Sequence, residues 1–167
     1  LHQVAGAPLA AWPASIYLAL GCAPTVLVVG HGADRVRQEL KDERLTFALQ
    51  AEQLGTGHAL LCAEEALRGF RGTVLLLCGD VPLLRQETLQ AMLEMHAAEK
   101  ASVSLLTAVV DDPTGYGRIV RDGGNVISIV EEKDATDEQR RITEVNMSIY
   151  VFDCRELLHA LEHLKSD

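Results

Sequence analysis

Short, unbroken apolar runs alternate along this chain with segments whose apolar residues recur every three or four positions. That alternation predicts strands interleaved with helices, the pattern of an α/β domain. Thr25–Gly30 (TVLVVG) is continuously apolar, which predicts a strand buried on both faces. Before it, Pro8–Leu20 predicts a helix, with Pro13 comfortable only within the first turn and Gly21 as its stop. After it, Asp34–Leu40 predicts a short helix and Thr46–Gln50 a strand. Gly55-Thr56-Gly57 then breaks the chain ahead of a helix with Ala59, Leu60, Ala63 and Leu67 on one face and Glu64 and Glu65 turned outward. Thr73–Cys78 (TVLLLC) predicts the clearest strand, stopped at Gly79-Asp80-Val81-Pro82. A second amphipathic helix is expected from about Gln86 to Lys100, carrying Leu89, Met92, Leu93 and His96, and a strand over Val103–Val110.

From Gly115 the texture changes. Arg118–Arg121 and Val126–Glu132 are β-rich runs joined by Asp122-Gly123-Gly124-Asn125, which is hairpin-turn chemistry and predicts an antiparallel insertion. The polar stretch Asp134–Arg141 reads as helix-like, Val145–Phe152 as a strand and Arg155–Leu164 as a helix, and the sequence ends at Ser166-Asp167 with no finishing motif.

Composition narrows the class. A chain of 167 residues is one domain's worth of sequence and long enough to bury a single core without staples. Its 48% hydrophobic and 23% charged residues exclude a disordered tail or a fibrous repeat. The formal charge of −9 argues against a nucleic-acid backbone or an anionic membrane as partner. A small phosphorylated substrate remains compatible, because a metal ion or backbone N–H groups can hold it. No apolar run approaches the roughly 20 residues that cross a bilayer, and Leu1–Pro8 lacks a leader's basic and apolar regions. Cys22, Cys62, Cys78 and Cys154 form no C-x-x-C pair, so plain buried thiols in a reduced, cytoplasmic compartment are expected.

Several local motifs carry candidate chemistry. Gly30-His31-Gly32 follows a strand, but Arg35 stands where the dinucleotide-binding pattern needs glycine, so a strand-exit turn is the better reading. His159-Ala160-Leu161-Glu162-His163 fits the inverted zinc-protease motif without an evident third ligand, and reads instead as an exposed helix face. Asp80, directly after a strand, falls at the carboxyl edge of the sheet where open α/β folds bind ligands. A lone hard oxygen there suits Mg²⁺, which takes the rest of its shell from water and phosphates; the alternative is that Asp80 caps the next helix or the turn. Gln50–His58 (QAEQLGTGH) combines a strand end, a turn whose glycines allow close backbone approach, and a helix N-terminus with free N–H donors.

QAEQLGTGHA (50–59), CGDVPLL (78–84), DDPTGYGRIVR (111–121) and IVEEKDATDEQ (129–139), in this order and spacing, resemble one family closely. It is the uridylyltransferase domain of the bifunctional bacterial N-acetylglucosamine-1-phosphate uridyltransferase and glucosamine-1-phosphate acetyltransferase. The resemblance covers nearly the whole chain. It implies a three-layer, Rossmann-like nucleotide-sugar transferase fold, with a mixed, mostly parallel sheet and an antiparallel insertion. It implies transfer of UMP from UTP to N-acetylglucosamine 1-phosphate, giving UDP-N-acetylglucosamine for the cell wall and releasing pyrophosphate. By the same resemblance Gln50, Gly55 and Thr56 hold the uracil, Gly79 adjoins the substrate and Asp80 holds Mg²⁺. Gly117 meets the sugar's acyl group, while Glu131 and Asn146 bind the sugar.

Against the family pattern, the strand and glycine-rich phosphate loop that precede the segment matching Leu1–Gly6 are missing, and so is a Pro-Lys pair. The missing strand is central in the family's sheet, so two neighbouring edges are expected to lie unpaired. The family's second metal ligand and its trimer-forming acetyltransferase domain fall beyond Asp167. Residues 1–167 are therefore expected to be a partial nucleotidyltransferase domain, inactive by themselves. Ser148 stands where the family has glycine, which bears on the acceptor sugar. The alternatives are another sugar-1-phosphate nucleotidyltransferase, or a nucleotide-sugar-binding fragment without catalysis.

Overall fold

The structure, a computed structural model, describes residues 2–164; the expected ending at Ser166-Asp167 lies outside them. The chain opens with a two-residue hairpin too short to carry a hydrophobic pattern, β1 (Gln3–Val4) and β2 (Ala7–Pro8), antiparallel to each other. Helix α1 (Ala11–Ala19) starts three residues later than the apolar pattern suggests, because Pro8 is taken up by β2. Pro13 is the third residue of α1, in the first turn, where its missing N–H breaks no helical bond. Then come β3 (Thr25–Val29), α2 (Ala33–Glu39), β4 (Leu45–Leu49), α3 (Thr56–Leu67), β5 (Thr73–Leu76), α4 (Gln86–Glu99) and β6 (Val103–Val109). The chain continues through β7 (Arg118–Asp122), β8 (Asn125–Val130), β9 (Glu144–Asp153) and α5 (Cys154–Glu162).

Strand β9 organises the main sheet. It pairs antiparallel with β5 and with β6, and near its start with β7, which forms the expected hairpin with β8. Gly123 and Gly124, with φ of 54° and 90°, supply the two left-handed residues of that hairpin turn. Alternation along β9 then makes three layers. Ile149 and Val151 join Leu75, Leu89 and Met92 in one buried cluster, covered by Ile16 and Tyr17 of α1 and by Leu20 at its C-terminal cap. Phe152 and Val74 face the other way, against Leu67 of α3 and Leu157 and Leu161 of α5. Asp153 caps α5, its carboxylate accepting from the Arg155 and Glu156 N–H groups at 2.9 and 3.2 Å.

Two expectations about the strands need correction. The strands pair in mixed fashion, but parallel pairing is confined to β3 with β4: β9 runs back between β5 and β6 and makes both of those ladders antiparallel, and the β1–β2 and β7–β8 ladders are hairpins. Strand β3 is buried only at Thr25 and Val29, with Val26–Val28 half-buried. The cause is that β3 and β4 form a separate two-stranded sheet. Among the described residues β3 pairs only with β4 and β5 only with β9, so each keeps one unpaired edge, as the sequence led us to expect. The β5 edge is partly satisfied by the half-buried Tyr17, whose hydroxyl donates to the Leu75 carbonyl at 2.8 Å, and loss of solvent around it pushes that phenol's pKa well up.

The polar stretch Asp134–Arg141 is not a helix beyond one 3₁₀ turn at Gln139–Arg141. Thr136 and Gln139 exchange hydrogen bonds as a capping box does, but no apolar stripe follows to hold a longer helix against the sheet. The remaining element boundaries move by a few residues at most.

Candidate functional site

Gln50 directly follows β4, and its N–H donates to the Val29 carbonyl at 2.8 Å, which carries the β3–β4 pairing into the loop. Gly55 ends that loop with φ 97° and ψ −179°, a conformation that glycine alone adopts freely. Thr56 then begins α3, exposed, with no side-chain hydrogen bond to another described residue. The Gln50 side chain folds back over the loop. Its Nε2 lies 3.1 Å from the Gly55 carbonyl and 3.1 Å from His58 Nδ1, and His58 Nε2 lies 4.0 Å from Cys62 Sγ. Gln50, Gly55 and Thr56 thus sit together, and His58 is an addition to them. Gly30 fits beneath this loop: a Cβ there would stand 2.5 Å from Gln53 Nε2.

Asp80 occupies an exposed turn after β5. The capping alternative fails, because α4 starts at Gln86 with Arg85 as its N-cap, and among the described residues nothing donates to the Asp80 carboxylate. Gly79 approaches Ala10, whose Cβ would lie 3.8 Å from a Cβ at position 79. Cys78, one residue earlier, is 3.8 Å from the Ser148 carbonyl, which ties the Asp80 turn to β9. Burial and, secondarily, the nearby Asp80 charge push the Cys78 thiol pKa up, so it stays protonated.

Gly117, Glu131 and Asn146, distant in sequence, converge. The Asn146 N–H donates to the Gly117 carbonyl at 2.8 Å. A Cβ on Gly117 would lie 3.3 Å from Glu131 Oε1, 3.6 Å from Asn146 Cβ and only 3.0 Å from Ile129 Cγ2, so this position has little room for any side chain. Asn146 is 8% exposed; its Nδ2 donates to the Tyr150 hydroxyl at 2.6 Å and its Oδ1 accepts from the Ser148 N–H at 3.1 Å. One amide hydrogen of Asn146 remains for a ligand. The β6–β9 register slips between Leu105 and Thr107, so β9 bulges around Met147–Ile149, and Ser148 takes φ 54°. The glycine-favouring conformation survives at the position where the residue is serine.

A charged brace holds this cluster. Arg118, 1% exposed, donates to the Tyr116 carbonyl and to Glu132, and Glu132 also accepts from the Gly115 N–H at 3.3 Å. The Arg118 hydrogen bond holds the Glu132 carboxyl below its ordinary pKa. Arg118 Nε is buried without a partner among the described residues. Sequence reasoning missed His58, Tyr150 and this ion pair; Glu132, adjacent to Glu131 just after β8, was the available signal.

The other motifs stay apart from the site. His159 and His163 pack ring to ring, with centroids 4.9 Å apart, and His163 Nδ1 is 2.9 Å from the His159 carbonyl. Gly32, with φ 71°, is the N-cap of α2. All four cysteines are free, but only Cys154 is fully buried. No helix is long and apolar enough to cross a membrane among the described residues.

Residues 2–167 match the family described as nucleotidyl transferase. Over its whole length the chain is 54% identical to the bifunctional protein GlmU of Syntrophotalea carbinolica and 50% identical to that of Geobacter sulfurreducens. It spans 36% of the length of each of these relatives. A solved structure named as a glucose-1-phosphate thymidylyltransferase of Bacillus anthracis superposes with a TM-score of 0.74 at 17% identity, over 99% of this chain and 69% of that one.

Proposed function

The chain belongs to the nucleotidyl transferase family, and we propose that it carries the uridylyl-transfer site for UTP and N-acetylglucosamine 1-phosphate. The observation that supports this reading most is the convergence of Gly117, Glu131 and Asn146 beside β9, on the same strand that Ser148 links to the Asp80 turn. A carboxylate and an amide with one free N–H suit the hydroxyls and acyl oxygen of an amino sugar. The crowded Gly117 leaves its backbone as the surface a ligand meets. Gln50, Gly55 and Thr56 form the uracil side, with backbone and hydroxyl groups at a helix start.

The sugar phosphate oxygen attacks the α-phosphorus of UTP in line; the new P–O bond forms as the bond to pyrophosphate breaks. Asp80, exposed and with no hydrogen bond to its carboxylate among the described residues, fits a single-carboxylate Mg²⁺ site completed by water and phosphate oxygens. The ion would offset phosphate charge during transfer. The protein's own share is positioning: Gly117, Glu131 and Asn146 orient the acceptor, and the Gln50–Thr56 loop orients the nucleotide. The products are UDP-N-acetylglucosamine and pyrophosphate. As in the relatives, the domain is part of a larger protein; trimer assembly and residence in the cytoplasm belong to the same proposal.

The test is pyrophosphate release by the intact protein with Mg²⁺ and a panel of nucleotides and sugar phosphates. UTP with N-acetylglucosamine 1-phosphate is expected to turn over fastest. Faster turnover with glucose 1-phosphate, or with another nucleotide, would overturn the assignment.

A further inference from the structure

The amide of Gln50 has a defined orientation, and chemistry fixes it. A backbone carbonyl only accepts, so the group 3.1 Å from the Gly55 oxygen is the NH₂ end. The same nitrogen is 3.1 Å from His58 Nδ1, so Nδ1 presents its lone pair and the imidazole proton sits on Nε2, toward Cys62 Sγ at 4.0 Å. Both N–H bonds of the amide are then used within the protein. Among the described residues no group donates to Gln50 Oε1, which is therefore what the amide offers a ligand.

From this geometry, and resting on the uridine-site reading above, we propose that His58 is a positioning residue for base selection. It holds the Gln50 amide so that its oxygen faces the base. Uracil presents an N3–H that this oxygen accepts; cytosine presents an unprotonated N3, a lone pair facing a lone pair. Turning the amide over would suit cytosine, but it would set Oε1 against the Gly55 carbonyl and the His58 Nδ1 lone pair at once, losing two hydrogen bonds. Gly55 alone opposes that turn with one bond; His58 supplies the second. The Cys62 thiol, one helical turn beyond His58 with Sγ 4.0 Å from Nε2, stands where it can accept a weak hydrogen bond from the Nε2–H of that tautomer.

Two measurements on the intact protein test this. In the ligand-free protein, ¹⁵N imidazole shifts are expected to report His58 with Nδ1 bare and Nε2 protonated; the opposite tautomer overturns the lock whatever the protein binds. Dissociation constants for UTP and CTP then compare the parent with His58→Leu, which removes the acceptor, and His58→Asn, which returns an oxygen near the Nδ1 position. The UTP-over-CTP preference is expected to fall about tenfold in His58→Leu and to recover to within about threefold in His58→Asn. A preference unchanged in His58→Leu, with both nucleotides weakened alike, overturns the proposal and leaves the uridine site standing. A parent protein with no preference for UTP overturns the uridine reading itself, and the base-selection role with it.

Discussion

The two halves of the candidate site are built by opposite means. On the side proposed for the nucleotide, Gln50, Gly55, Thr56 and His58 belong to one loop and the start of one helix, on a two-stranded sheet whose β3 edge is unpaired among the described residues. On the side proposed for the acceptor, Gly117, Glu131 and Asn146 meet only because β7, β8 and β9 pair correctly, and the Arg118–Glu132 brace lies behind them. A local cluster can rearrange or open without global unfolding, whereas a cluster made by strand pairing shares the stability of the core. Substitutions on the nucleotide side should therefore change affinity more than stability. On the acceptor side the two should change together.

The largest expected effect belongs to the turn between these halves. Asp80→Ala in the intact protein should lower Mg²⁺-dependent turnover about 100-fold or more while leaving the melting temperature nearly unchanged, because the side chain is exposed and has no hydrogen-bond partner among the described residues. Turnover within a few-fold of the parent would remove Asp80 from the metal site. Next, Glu132→Ala leaves the buried Arg118 charge with only a carbonyl partner, and should lower both the melting temperature, by several degrees, and the affinity for the sugar phosphate. An unaltered melting curve would mean that the brace carries no weight.

Thr56→Val should weaken UTP about tenfold with no change in thermal stability, and a drop in stability as large as that of Glu132→Ala would erase the contrast drawn here. Ser148→Gly removes a Cβ from a residue at φ 54° and should stabilise the fold by about 1 kcal/mol in denaturant titrations. The smallest effect is electrostatic. Arg121 holds the Glu144 carboxyl at about 2, down from 4.5, through a pair of hydrogen bonds at 2.7 and 2.8 Å. A carboxyl depressed on folding contributes stability that is complete above about pH 4.5 and is lost as pH falls toward 2. The pair is partly exposed, so solvent screening keeps this contribution small. Glu144→Gln should flatten the acid limb of the stability profile slightly; an identical limb would contradict the pairing.

Legibility in the sequence divides along the same line. The β7–β8 hairpin was readable because Gly123 and Gly124 are what a two-residue turn demands, and Gly55-Thr56 because a loop and a helix start are written in adjacent residues. Residues 134–141 misled because polar residues with a capping-box pair resemble a helix start whether or not an apolar face follows. The burial of Arg118 could not be read, since a charged residue entering a strand looks the same exposed or buried until its partner is placed. The partial exposure of β3 depends on which strand lies beside it, which local patterning does not encode. Asp80 was placed correctly after β5, but its freedom from capping follows only from where α4 begins.

The most direct measurement is an amide-shift titration of the ¹⁵N-labelled protein with UDP-N-acetylglucosamine. Perturbations are expected in both clusters at a common dissociation constant, at Gly55, Thr56 and His58 on one side and at Gly117, Glu131 and Asn146 on the other. Shifts confined to one cluster, or saturating at different concentrations in the two, would contradict a single nucleotide-sugar site.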